Sequence, residues 1–462
     1  MVAGQGVRLL TISEGNVMKT ILRAWLAPKS LGIGTACLVL CAALVLPIQV
    51  NAGGAAPGPF KIMHADRTEL GDDIAHYRYD VAMGPGKYDV VRIHRIVREK
   101  RPNKPVRTRD AVMLLHGSPG TFEGMFMAPM VTGVSELDHS IAIFLAKNDI
   151  DVWGMDFGWA LVPPDETDFE FMGQWGLGKD VAHAEAALSF ARSVRVKTGQ
   201  GNGRLQLLGL SYGGQVAYPL VGEETLQPAG LRNVKGMIAL ETTVKAANES
   251  DRESSCAAAV SDQALLESNP PMTYANDIGL ALQALGYLAS IDPDAVSPFP
   301  EFAPLTNWQA ALYVGTSFSP SWHLVGGYLD EYGIPSGLRF TDDQLWVGAM
   351  VASYSPYYPR RIDVDTDQLL CGTYDVPFDD HFAQITLPIL HVGAKGGFGP
   401  ESYASTTLTA SREVTTITVQ LLPDADKAMD FGHVDTVFAR DAEALVWRPI
   451  LDWIMAHREN RP

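Results

Sequence analysis

The stretch LQLLGLSYGGQVAY, residues 205–218, constrains this chain more than any other. Four of its first six residues are Leu, a short apolar run suited to a strand buried on both faces. Gly209, Ser211 and Gly213 then form G-x-S-x-G, and Gly214 leads into a helix-compatible Gln-Val-Ala-Tyr. A serine at the tip of a sharp strand-to-helix turn holds a strained backbone with its hydroxyl presented, and only small residues two positions away leave room for the turn. The helix beyond aims backbone N–H groups at the place where an oxyanion forms. The stretch therefore predicts a nucleophile elbow with Ser211 at its tip.

Length and composition bound the rest. With 462 residues and 47% hydrophobic side chains, the chain can bury one large α/β domain carrying an insertion, or two to three smaller domains. Periodicity favours the first. HYRYDVAM and KYDVVRIHRIV, separated by Gly84-Pro85-Gly86, predict a hairpin. Apolar runs at Ala111–Leu115, in DIDVWGMDF, at 205–210 and in VKGMIAL (234–240) alternate with helical patterns, as in a parallel sheet. Pro219 is expected to shorten or kink the helix after the elbow. Alternation lapses over 246–384 and resumes with Leu387–Gly393, VTTITVQLL and a closing helix whose Trp447, Ile450, Leu451 and Ile454 share one face. Thirteen of the 66 residues 295–360 are Phe, Trp or Tyr, among them Phe299, Phe302, Trp308, Phe318, Trp322 and Trp346, about twice the 9% of the whole chain. That enrichment marks an inserted cap whose aromatics either line an apolar pocket or form the cap's own core.

Lys19, Arg23 and Lys29 precede an apolar run from Leu31 to Ile48, and Val50-Asn51-Ala52 offers compact residues for a signal peptidase. A secretory signal over 1–52, with Met18 as the natural start, is the expectation, and an uncleaved membrane anchor is the competing one. The domain reading is thus signal peptide 1–52, first core segment 53–245, cap 246–384 and second core segment 385–462. Removing 1–52 takes four basic residues and Glu14 from the 36 basic and 53 acidic residues of the chain, leaving a net charge of −20. Such a chain repels nucleic acid and anionic lipid. Cys256 and Cys371 are the cysteines left, and export predicts either one disulfide between them or two separate buried thiols.

Taken together, these segments resemble the α/β-hydrolase superfamily over nearly the whole mature length and in motif order. HGSPG (116–120) is similar to its oxyanion loop, GLSYGG to its elbow, 246–384 to its cap and DFGHVD to its histidine loop. The C-terminal segment from Gly432 is similar to the acid-lipase branch, whereas HGSPG is closer to proline iminopeptidases and epoxide hydrolases. The resemblance implies a mostly parallel central sheet flanked by helices, Ser211 as nucleophile and His433 as its base. Serine needs such a base, and His titrates near working pH. Tyr212 and Ser118 would supply the two oxyanion N–H groups, because Pro119 has none. His116 reads as structural.

The sequence departs from the common pattern at the third triad member. After Gly393, where many members carry an aspartate, it reads Ala-Lys-Gly-Gly-Phe-Gly-Pro. Glu241, at the end of the strand after the elbow, is the chosen acid; a buried carboxylate there can fix the imidazole tautomer. Asp379, Asp380, Asp424, Asp426 and Asp430 are its rivals, and Asp156 and Asp435 read as structural. The resulting expectation is a secreted or periplasmic serine hydrolase acting on a carboxylic ester of a bulky apolar or lipid-like small molecule. It needs no cofactor or metal, binds no nucleic acid, and touches lipid surfaces transiently through the cap. A serine at the elbow argues against dehalogenase and epoxide-hydrolase chemistry. The alternatives are an aminopeptidase of the proline-iminopeptidase kind, with Glu267, Asp277 and Glu301 as candidate amine-binding acids, and a non-catalytic binding protein on the same fold.

Overall fold

The computed structural model of the chain describes residues 60–268, 272–317, 319 and 321–459. The signal expectation over 1–52, and Phe318, lie outside the described residues. Nine strands set the frame: β1 (Lys61–Gly71), β2 (Ile74–Ala82), β3 (Val90–Arg101), β4 (Asp110–Leu115), β5 (Ile150–Asp156), β6 (Leu205–Leu210), β7 (Val234–Leu240), β8 (Ile389–Ala394) and β9 (Val414–Val419). They lie in the order β1-β2-β3-β5-β4-β6-β7-β8-β9, and the short Lys104–Pro105 strand pairs on β3 to make ten. From β5 to β9 every neighbouring pair is parallel, while β1, β2 and β3 add antiparallel ribbons at one edge.

Every residue of β4, β5, β6, β7 and β8 is buried. Parallel strands covered on both faces read as continuous apolar runs rather than alternations, which is why these five were legible. The core is accordingly split by the sheet into two large clusters, one on each face. Helices α1 (Leu177–Lys197) and α2 (Tyr212–Glu224) connect strands on one face. The closing helix Arg448–Ala456, whose Ile450 and Ile454 are fully buried, packs on the other.

Residues 61–71, where the sequence marks no element, form β1; its exposed or half-exposed side chains carry no apolar alternation, and its partner β2 supplies the hydrogen bonds. One expectation needs correction. Pro219 does not shorten the helix after the elbow, which continues to Glu224. The face beyond it, with Leu220 and Val221 at 1% and 2% exposure, is held in the core, and tertiary packing overrides the lost backbone bond.

The chain leaves the sheet after Leu240 and returns at Ile389, yet β7 and β8 are direct neighbours. The excursion between them contains α3 (Glu249–Ser268), α4 (Ile278–Ile291), α5 (Asn307–Thr316), α6 (Asp343–Ala352) and α7 (Arg360–Cys371). Several of its aromatics are core, Phe299, Phe302 and Trp346 being 3% exposed or less, while Tyr287, Tyr328, Tyr332 and Tyr374 are exposed. Cys256 on α3 and Cys371 on α7 form a disulfide, 115 residues apart in sequence, so the first and last helices of the excursion are stapled together. Among the described residues no helix is long and apolar enough to cross a membrane.

Replacing both cysteines by serine should lower the denaturant midpoint of the oxidised protein, with a loss of up to about 4–5 kcal/mol from the longer free loop of the unfolded chain. Equilibrium unfolding of the double variant against the parent checks this.

Candidate active site

The turn between β6 and α2 has the geometry its glycines demand. Ser211 sits at φ 54° and ψ −121°, a region that L-residues enter only when the surroundings hold them there. A Cβ on Gly209 would lie 2.3 Å from the Gly213 carbonyl oxygen, and one on Gly213 would lie 2.2 Å from that of Leu115. Gly117 of the HGSPG loop packs so closely that its Cβ would lie 2.9 Å from the Ser211 Cβ. The elbow and the HGSPG loop are therefore in contact. The Tyr212 and Ser118 N–H groups donate to no other group among the described residues. Ser211 Oγ likewise forms no hydrogen bond there.

Glu241 and His433 are brought together. His433 Nδ1–H donates to Glu241 Oε2 at 2.8 Å, and both side chains are buried. Backbone bonds tie this pair to the elbow: Ser211 N–H donates to the Leu240 oxygen at 3.0 Å, and the Thr242 hydroxyl donates to the Ser211 oxygen at 2.7 Å. Glu241 itself has a positive φ of 47° and donates its N–H to the Val392 oxygen on β8.

The glycine-rich segment after β8 explains how the carboxylate fits. Ala394 N–H donates to Glu241 Oε1 and Phe398 N–H donates to Oε2 at 2.9 Å. A Cβ on Gly397 would stand 2.1 Å from Glu241 Oε2 and 3.1 Å from the His433 Cα. The loop that lacks an acid thus encloses one. Of the rivals, Asp379, Asp380 and Asp424 are exposed, Asp424 pairing with Lys395, and Asp426 is half-buried. Asp430 is buried, and its Oδ1 accepts the Leu421 and Phe431 N–H groups.

Residues of the excursion complete the surroundings of the histidine. Trp322 and Phe398 pack on the His433 ring at centroid distances of 5.2 and 4.6 Å. His433 N–H donates to the His323 oxygen and Val434 N–H to the Leu324 oxygen. Asp435, fully buried, accepts the Gly326 and Gly432 N–H groups on Oδ2 and the Thr341 hydroxyl on Oδ1, at 2.6 to 2.8 Å. On the other side, Ser355 N–H donates to the Pro119 oxygen at 2.7 Å. Of these, the sequence signalled Trp322 through the aromatic enrichment and Asp435 as a structural residue. Phe398 and Gly397 carried a weaker signal, as part of a glycine-rich stretch where an acid was expected.

His116 lies in the HGSPG loop with Nδ1–H donating to the Gly117 oxygen and Nε2 3.8 Å from Asp156. Asp156 also accepts His94 Nε2–H at 3.0 Å and Phe122 N–H at 2.6 Å. His94, His76 and Glu123 are the one group among the described residues with metal-ligand spacing. The two imidazoles, however, meet end to end at 2.9 Å with ring planes 22° apart, bonded to each other, and Arg78 already neutralises Glu123 at 3.3 Å. Burial pushes His76 down to about 2, so it is neutral.

No family model matches the sequence, and no curated protein matches it. Among solved structures, the "putative lipase" of Sulfolobus solfataricus matches at TM-score 0.58 and 18% identity, covering 86% of this chain and 100% of that one. A soluble variant of the monoglyceride lipase of Saccharomyces cerevisiae matches at TM-score 0.44 and 13% identity, over 88% and 100% of the two chains. The proline iminopeptidase of Mycobacterium smegmatis follows at 0.37 and 12%, over 85% and 98%. The first of these likenesses establishes that the chain has the α/β-hydrolase fold, with its mostly parallel central sheet flanked by helices.

Burial pushes the Asp435 carboxyl up to about 6, against its three hydrogen bonds. The folded state then holds a proton that the unfolded state releases near pH 4, so this group's contribution to stability falls as pH rises from about 4 to about 6. Asp435→Asn should flatten the stability profile over that window, as read by thermal melts at half-unit pH steps.

Proposed function

We propose that this chain is a serine hydrolase that cleaves carboxylic esters through an acyl-enzyme, with Ser211, His433 and Glu241 as its triad. The observation that carries the reading is the His433–Glu241 pair, enclosed by the loop after β8 and bonded through Leu240 and Thr242 to a serine at positive φ. His433 Nε2 takes the Ser211 proton as Oγ attacks the ester carbonyl, and Glu241 stabilises the imidazolium that forms. The Tyr212 and Ser118 N–H groups receive the oxyanion. Collapse returns the proton to the leaving alkoxide, and His433 then activates a water that releases the acid and regenerates Ser211.

Trp322 and Phe398 against the base favour an apolar, bulky small-molecule or lipid-like ester, and the acidic mature chain disfavours anionic substrates. In this reading residues 246–384 act as the cap, and transient lipid contact runs through it. Export after removal of residues 1–52 to an extracellular or periplasmic compartment is part of the proposal, and the Cys256–Cys371 disulfide is in keeping with it. Of the acids of the aminopeptidase reading, Glu267 is exposed and accepts a hydrogen bond from Gln263, whereas half-buried Glu301 has both carboxylate oxygens without a hydrogen-bond partner among the described residues.

A fluorophosphonate probe should label the folded mature protein, and Ser211→Ala should abolish the labelling; an unlabelled parent protein would leave only a binding protein on this fold. Glu241→Gln should reduce kcat on p-nitrophenyl esters by about 10³–10⁴ with unchanged circular dichroism. A panel of acyl esters and aminoacyl anilides separates esterase from aminopeptidase, with turnover expected on the esters.

A further inference from the structure

The first turn of α1 carries a buried acid that the triad does not use. Asp180 is 3% exposed, and its Oδ2 accepts two hydrogen bonds, from the Tyr212 phenol at 2.7 Å and the Trp159 indole N–H at 2.9 Å. Tyr212 follows the nucleophile and opens α2; Trp159 lies just beyond β5 with its ring 5.4 Å from that of His116, two residues before Ser118. Phe157 packs on both aromatic rings and on His116. One carboxylate oxygen therefore grips both walls of the oxyanion site, the elbow directly and the HGSPG loop through Trp159.

We propose that Asp180 is a positioning residue for the oxyanion site, setting the Tyr212 backbone N–H through the phenol of the same residue. The proposal rests on the serine-hydrolase reading above. An oxyanion donor acts only if its N–H is already aimed when charge develops, so a side chain that fixes the donor's own residue bears on turnover rather than on ground-state binding. Hydrogen bonds to a charged acceptor are about twice as strong as neutral ones, so the grip depends on the charge of Asp180. Burial pushes this carboxyl up to about 7, against the two hydrogen bonds. The charged or titratable groups facing it are Tyr212 from α2, Lys179 of its own helix, and Asp365 of α7, which also accepts the Leu177 N–H and pairs with Arg361. The grip is thus strong above neutrality and weak below it.

Asp180→Asn keeps the shape and removes the charge at every pH. With p-nitrophenyl butyrate, its kcat should fall about tenfold at pH 8.5 with KM changed less than twofold, and the ratio of parent to variant kcat should shrink toward one at pH 5.5, where the parent's Asp180 is itself protonated. Taking the ratio cancels pH dependences that parent and variant share. Tyr212→Phe, which spares the backbone N–H, should give a similar loss that is not additive with Asp180→Asn, and it carries the test alone should the Asn variant not fold. A ratio independent of pH, a loss confined to KM, or additive losses would overturn the proposal. Fluorophosphonate labelling of Ser211 in the parent, run alongside, distinguishes this failure from failure of the hydrolase reading.

Discussion

The site depends on one buried carboxylate. Glu241 is fully enclosed, and an ion there without partners would cost several kcal/mol. Three N–H donors converge on it, from Ala394, Phe398 and His433. Each comes from a separate position, so satisfying the charge fixes the end of β8, the turn after it and the histidine loop relative to one another. Its own backbone at φ 47° is the strained element that aims the side chain across to β8. The glycine at 397 follows from this convergence, because a Cβ there would lie 2.1 Å from Glu241 Oε2; one at 396 would instead lie 2.4 Å from the His323 ring.

The excursion from the sheet is part of the same construction. The histidine loop is bonded through His433, Val434 and Asp435 to residues 323–326 and 341, while the HGSPG loop is bonded through Pro119, and by bridging at Gly120, to residues 354 and 355. Both walls of the site therefore rest on the segment between β7 and β8, and the disulfide closes that segment near its two ends. A movement that detached residues 323–326 would also release the backbone of His433.

What the sequence revealed follows from where the physics is local. Continuous apolar runs mark β4 to β8 because both faces of each are covered, and G-x-S-x-G marks the elbow because only glycine clears the contacts at 209 and 213. Other features depend on partners distant in sequence. β1 is specified by pairing with β2, the helix through Pro219 by the core it faces, and the aromatics of 295–360 divide between core and site in a way that composition does not separate. Asp180 in the first turn of a helix looks like an ordinary complement to the helix dipole, and only the fold shows Tyr212 and Trp159 donating to it.

The pairing of Glu241 with His433 was legible in part, and the sheet explains how the two meet. β7 and β8 run parallel, with Leu240 opposite Val392, so Glu241 and the residues just past Val392 emerge at one level of the sheet on adjacent strands. An acid moved from the end of β8 to the end of β7 shifts sideways by one strand spacing, about 4.8 Å. Glutamate is longer than aspartate by one methylene, and the positive φ turns it toward β8. The carboxylate then arrives where the histidine loop already presents Nδ1, and the donor strand's own turn contributes N–H groups instead of an acid. The same turn has no bulk at Gly397, where a Cβ would stand 2.1 Å from Glu241 Oε2 and keep the carboxylate out.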